Sequence, residues 1–246
     1  MYWAWKNLDS AYYGLFHYRR VLDLSGRRKN NIAPWRKKKH DVNTIKISPH
    51  NIPKQFHLDT TTITNLLKKS PIIIANPLLC IKGFDFSLGM SQYDIYARDH
   101  NKKDLDIVIE ILRTKFPHMT SYMEATLFTP GTRLSWCNMF VMSKELFFEY
   151  CEFLFGILLE AQKHIDTKGY NTYQKRAFGF IAERLFNVFL RYIVFEKNID
   201  PISRDHFELK EPKPLFGSQI SGKNPPIKRT YFAGIRIKKT QLKGVL

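Results

Sequence analysis

The chain reads as an α/β layered domain, and the spacing of its apolar runs is the reason. Short strand-like runs at 11–18, 71–77 and 134–142 are separated by stretches of helical periodicity. The longest helical patterns come late, at 143–164 and 172–192, and no segment repeats. Strands interleaved with helices, with more helices toward the end, build a sheet covered by helical layers.

Taken in order, residues 2–8 read as the last turn of a helix and 11–18 as the first strand. Residues 21–58 carry Pro34, Pro49, Pro53 and two basic clusters, so they predict a long irregular excursion with a short strand at 44–47. Thr60 or Thr61 is placed to cap a helix running to about Lys69. Ile72, Ile73 and Ile74, bracketed by Pro71 and Pro77, predict a buried strand, and 78–91 a loop. Helices follow at 91–98 and 101–114, the second with Leu105, Val108, Ile109 and Leu112 on one face and Pro117 at its end. Ser143 predicts the N-cap of a helix to His164 with Phe147, Tyr150, Leu154, Ile157, Leu158 and Ala161 inward. In the 172–192 helix, Phe178, Ile181, Leu185 and Phe189 form the core face, and a short segment follows at 193–196. From Pro201 onward, Pro212, Pro214, Pro225 and Pro226 predict a loosely ordered tail. The division is a domain over 1–200 and a basic, Pro-rich extension over 201–246.

A chain of 246 residues is long enough for one domain with an extension, and 44% hydrophobic content excludes wholesale disorder. Cys80, Cys137 and Cys151 have neither disulfide nor metal-site spacing, which predicts reduced thiols and a cytoplasmic setting. The N-terminus lacks a secretory pattern, and the longest stretch free of charged residues, Ser70–Ile81, is too short to span a bilayer. A net charge of +17 asks for an anionic partner: phosphorylated substrate, anionic membrane surface or nucleic acid. No nucleic-acid-reading motif occurs, so a nucleic-acid-binding protein is the lesser alternative. The densest charge, at 27–29, 36–40 and 223–243, reads equally as solvated surface.

Chemistry gathers at a few places. The first strand ends in His17-Tyr18-Arg19-Arg20, and strand ends are where α/β proteins open a crevice. An imidazole, a phenol and two guanidinium forks suit an anionic ligand there. Asp104-Leu105-Asp106 is the only Asp-x-Asp; because it opens an amphipathic helix, its carboxylates serve the helix N-terminus better than a metal, and no metal site is predicted. His100 lies one helical turn before Asp104, either to have its tautomer fixed or as a capping pair. Asn138 interrupts an apolar strand and needs partners for its amide, either backbone groups or a ligand's hydroxyls. On the 172–192 helix, Arg176, Glu183 and Asn187 share a face, and Gly179, at a cost of about 1 kcal/mol relative to Ala, implies that something approaches closely.

Four blocks occur in a telling order: Tyr2–Asn7, Gly14–Arg20, Asn138–Met142 and Arg176–Leu185. They resemble the Y-W-A-W-K-N, G-L-x-H-Y-R-R, N-M-F-I-M and R-x-x-G-F-x-x-E-R-L blocks of a bacterial family of capsular-polysaccharide glycosyltransferases catalogued as a domain of unknown function. His100 to Leu105 is similar to the family's H-x-x-x-D-L. The resemblance implies a glycosyltransferase-A-like fold with a mixed central sheet. It implies transfer of a hexose from a nucleotide diphosphate sugar to a capsule, exopolysaccharide or surface-glycan acceptor, lipid-linked acceptors included, by an enzyme peripheral to the membrane. On that reading His17, Tyr18, Arg19 and Arg20 hold the donor phosphates, without firm indication of a metal or other cofactor. Asn138, Arg176, Arg184, His100 and Asp104 meet acceptor or sugar, and Glu183 acts as general base or orients an arginine. Family members carry a further strand before the first block, so the chain is expected to be shortened, and an inactive remnant is the third reading.

Overall fold

A computed structural model describes residues 1–26, 43–46, 51–77, 89–210, 216–221, 227–232 and 235–241. The basic clusters at 27–29 and 36–40 and most of the 78–91 loop lie outside the described residues.

A four-stranded mixed sheet organises the molecule, in the order β1 (Tyr12–Leu15), β5 (Phe140–Ser143), β4 (Ile72–Ala75), β6 (Ile202–Arg204). β1 and β4 both run antiparallel to β5, and β6 runs parallel to β4. Its central strands are apolar without alternation because both faces are covered: Ile72, Ile73, Ile74, Phe140, Val141 and Met142 are all buried. Alternate side chains enter different cores. Tyr13, Ile72, Ile74, Phe140 and Met142 join the large helical core, whereas Ile73, Ala75, Met139 and Val141 pack with Leu22 and Leu24 on the other side.

The helical layer comprises α4 (Gln92–Asp99), α5 (Lys102–Lys115), α6 (Thr120–Leu127), α7 (Lys144–His164) and α8 (Ala177–Phe195). Ser143 caps α7 as predicted, accepting from Leu146 N–H, and Ser91 with Asp94 forms a reciprocal capping box on α4. The inward residues of α7 are buried except Leu158, which is half-buried at the rim of the core. α1 (Tyr2–Asn7) lies against α7 through stacking of Trp5 on Phe155. On the other face, α3 (Thr60–Leu67) packs Ile63, Leu66 and Leu67 against the sheet. Its cap is Asp59, not a threonine, because the Asp59 carboxylate accepts from both Thr62 N–H and Thr62 Oγ1. The short α2 (Ile52–Gln55) precedes it, and α6 was not foreseen.

Sequence and structure diverge in three further places. α8 starts at Ala177, leaving Arg176 in a 3-10 turn before it, and runs through Phe195, taking in most of the 193–196 segment. The third apolar run is a strand only from residue 140, because Cys137 and Asn138 both adopt left-handed backbone (φ 67° and 48°) and form a turn. The tail is not loose where it is described. β6 joins the central sheet, and β7 (His206–Lys210) lies between β2 (Arg20–Leu22) and β3 (Asn43–Lys46) in a second sheet with a small core of Val21, Phe56 and Phe207. β8 (Phe216–Ser221), β9 (Ile227–Phe232) and β10 (Ile235–Gln241) form an antiparallel meander. The prolines that suggested disorder fall between these strands and punctuate them, as proline must when it cannot donate to a ladder.

Candidate active site

The sheet gathers several chain segments at one end of its strands. Leu15 of β1 and Ile74 of β4 both oppose Phe140 at the start of β5, and Ala75 opposes Arg204 at the end of β6. The turn after β1, the ends of β4 and β6, and the approach to β5 therefore converge.

The turn after β1 is tightly tied. Arg20 N–H donates to the His17 carbonyl at 2.9 Å, and Arg19 N–H donates to His17 Nδ1 at 3.3 Å. With Nδ1 accepting, the neutral ring carries its proton on Nε2. Leu209 N–H donates to the Arg19 carbonyl at 2.7 Å, fastening the turn to β7. Tyr18 is 78% exposed, with the Arg19 guanidinium 4.8 Å from its ring centroid. Burial, then Arg20, Arg19 and Arg176, lower the His17 pKa and keep the ring neutral.

The approach to β5 is held by Asn187 of α8. Ser135 N–H donates to Asn187 Oδ1 at 2.7 Å, and Asn187 Nδ2 donates to the carbonyls of Ser135 and Glu183 at 3.1 and 2.7 Å. Ser135 Oγ donates to the Ala75 carbonyl, tying the segment to β4. Two successive non-glycine residues in left-handed backbone then store strain of order 1–3 kcal/mol each. The turn they make brings the Cys137 N–H to the Glu183 carboxylate and Cys137 Sγ to Arg20 Nη1. Asn138 Oδ1 and Arg20 Nε are buried and have no hydrogen-bond partner.

Glu183 sits at the centre with 22% of its side chain exposed. Burial raises its pKa, while Arg184, Arg20, Arg176 and the Cys137 N–H pull against that rise. Arg20 and Arg176 act on both Glu183 and His17, so the first strand's end meets the polar side of the α8 segment. Arg176 lies in the 3-10 turn just before α8, its guanidinium 5.1 Å from the Phe180 ring centroid. Arg184 is almost wholly buried; its Nη1 lies 3.7 Å from Glu183 Oε2 and donates to the Phe180 carbonyl. A Cβ on Gly179 would meet nothing within 4 Å, so the close neighbour expected there is replaced by open space, one turn before Glu183.

His100 and Asp104 do not share a helix face, because the chain is extended at His100 and the two residues belong to separate helices. His100 stacks on Phe180 at 4.1 Å and lies 5.6 Å from Tyr173, close to the α8 end of the site. Asp104 is 2% exposed beneath Tyr170, whose hydroxyl donates to it at 2.6 Å. Asp106 instead accepts from Lys102 and Tyr93. Among the described residues no group of three or more His, Cys, Asp or Glu is arranged to hold a metal ion.

Cys137, Ser135 and His206 were missed by sequence reasoning. His206 is buried next to Arg20, and burial followed by the Arg20 charge lowers its pKa to about 4. Its signal was hidden by reading the tail as loose; that of Cys137 was present, since it adjoins Asn138. A wider groove of about 610 Å³ between α5 and α7 lies apart from this cluster. Its carboxylates, Asp106, Glu110 and Glu160, are each ion-paired with a neighbouring Lys or Arg. None of the helices among the described residues is long and apolar enough to cross a membrane.

A search of curated proteins finds no match. Among solved structures, the chain is similar to one described as the apo structure of the WbbM bifunctional glycosyltransferase, with a TM-score of 0.71 and 26% identity over 89% of this chain. The similarity spans only 38% of that larger chain. It fits the mixed sheet and helical layer described above, and the fold is a glycosyltransferase-A-like α/β domain. The model of the family described as a domain of unknown function (DUF4422) matches residues 1–194, and the chain belongs to that family.

Proposed function

We propose that the protein is a glycosyltransferase that moves a hexose from a nucleotide diphosphate sugar to a glycan acceptor of a capsule or surface polysaccharide. The observation that carries this reading is Glu183, a carboxylate with 22% of its side chain exposed, raised in basicity by burial and ringed by arginines at the strand ends. The similarity to a glycosyltransferase structure supports the same reaction class.

In this reading Arg19, Arg20 and Arg176 neutralise the donor diphosphate, for which guanidinium forks are the fitting groups. His17, neutral and with Nε2 protonated, donates to a phosphate oxygen. Glu183 takes the proton of the acceptor hydroxyl as its oxygen attacks the anomeric carbon. The bond from that carbon to the phosphate oxygen breaks, and the nucleotide diphosphate leaves with the electron pair, its charge met by the arginines. Desolvation makes Glu183 a stronger base, and Arg184, Arg20 and Arg176 favour its ionised form against that rise. Open space at Gly179 leaves room for a sugar beside the carboxylate. Arg184, too buried to reach a ligand freely, positions Glu183. The net charge of +17 favours residence against an anionic membrane, where each basic residue near the surface contributes about 1 kcal/mol.

Release of nucleotide diphosphate from a panel of nucleotide-linked hexoses, together with donor affinity, tests the reading. Arg19→Lys keeps the charge and loses the fork, so donor affinity is expected to fall about tenfold to a hundredfold, equivalent to ~1.5–3 kcal/mol, at an unchanged melting temperature. Failure to bind any nucleotide diphosphate would overturn the proposal.

A further inference from the structure

Beyond the Glu183 cluster, along the same helix, lies a second cavity of about 290 Å³. Glu183, Asn187 and Arg191 succeed one another at intervals of four on α8 and therefore share a face. Asn187 belongs to both places: it clamps the approach to β5 and lines the cavity. From Glu183 to Arg191 the helix rises about 12 Å, within reach of a short oligosaccharide.

The lining combines two kinds of surface. Leu190, Val194, Phe195 and Ile74 supply an apolar wall, with Phe195 67% exposed. The same lining includes two arginines, Arg133 and Arg191, and a single carboxylate residue, Asp200. Both arginines stand on fixed supports. The carbonyl of Thr132 accepts from Gln92 Nε2 at 2.9 Å, and Thr132 Oγ1 donates to the Thr129 carbonyl. With Ser135 held by Asn187, the backbone is pinned on both sides of Arg133. The Arg191 guanidinium lies 5.2 Å from the Phe195 ring centroid. Arg191, held over that ring before binding, loses little freedom when an anion arrives, and Arg133 extends from a fixed backbone.

We propose that this cavity seats the acceptor, and that the acceptor is a glycan carrying an anionic group, a phosphate ester or a uronate carboxylate, gripped by Arg133 and Arg191. The apolar wall takes the carbon face of a sugar ring, the guanidinium forks take the anion, and a hydroxyl farther along the glycan meets Glu183. The proposal rests on the glycosyltransferase reading and extends it to the acceptor's charge.

Calorimetric titration of the full chain with glucose 6-phosphate, glucuronate, glucose and uridine diphosphate tests it. At least one of the two charged sugars is expected to bind tenfold or more tightly than glucose, and which one does identifies phosphate or carboxylate as the group read. Arg133→Ala and Arg191→Ala are each expected to weaken that binding at least tenfold while leaving uridine diphosphate affinity unchanged. Thermal melts monitor folding, and Arg191→Lys should recover part of the affinity. If neither charged sugar binds better than glucose, the acceptor site is wrong, and nucleotide binding can still uphold the glycosyltransferase reading. Parallel loss of uridine diphosphate affinity in both alanine variants would show that the charged sugars report only the donor cluster, and would also overturn it. Binding of charged sugars that these variants abolish, without any nucleotide binding, would retain an anion-binding cavity and remove the transferase reading.

Discussion

Glu183 and Asp104 are carboxylates of the same helical layer, and burial raises the pKa of both. Their surroundings part them. Asp104 opens α5, is 2% exposed, and accepts from the Tyr170 hydroxyl, which in turn accepts from the Asn101 side-chain amide that helps cap the helix. Glu183 keeps an open side, has cations from three segments around it, and lies beside strained backbone. On the proposed reading, a raised pKa alone does not mark a working group. What separates the two is an opening toward solvent and an excess of opposite charge that the fold itself does not require.

The largest effect expected from this contrast is on Glu183→Gln. If Glu183 carries the proton, transfer should fall roughly 10²- to 10⁴-fold, the range typical of a lost general base. The melting temperature should not fall, because glutamine fills the same space without a buried charge. Turnover and melts on one preparation check both halves; near-normal turnover would leave the carboxylate with an orienting role only.

A second expectation concerns pH. A carboxylate whose folded pKa is raised above its ordinary 4.5 adds stability that is fully present below that value and is lost as pH rises through the folded one. Glu183→Gln should therefore melt higher than the natural chain at neutral pH, and the gap should close as pH falls below the ordinary carboxylate range. The acid limb of activity should sit above that range as well. A gap independent of pH would mean that the raised value belongs to some other group.

Much of this was legible in the residues. Continuous apolar runs marked the central strands, and Ser143 marked the start of α7 to the residue, because local capping and burial decide those features. That His17–Arg20 and the Arg176–Glu183 segment belong together was implied only by the family resemblance; residue type alone suited a solvated surface equally well. What failed depended on tertiary context. Asn138 looked like a polar break in a strand, whereas paired left-handed residues turn the chain there. His100 and Asp104 looked like one helical turn until an extended residue separated them. Residues 202–210 looked loose because proline was read as disorder rather than punctuation; with them went His206, the buried neighbour of Arg20.

The smallest effect is expected at Asp104, and it tests the contrast from the opposite side. Asp104→Asn keeps an oxygen for the Tyr170 hydroxyl and removes a charge that burial disfavours. Against that gain stands the lost attraction of a carboxylate for the positive end of α5, about 0.3–1 kcal/mol at surface exposure. The two changes oppose each other, so stability should shift by less than ~1 kcal/mol, as for substitutions that break no buried network. Transfer and acceptor affinity should stay within about fivefold of the natural chain, since 1 kcal/mol is about a factor of five in any equilibrium. A hundredfold loss of transfer at an unchanged melting temperature would break the comparison. It would mean that the helical layer opens at Tyr170 to admit the acceptor, and that Asp104 belongs with Glu183.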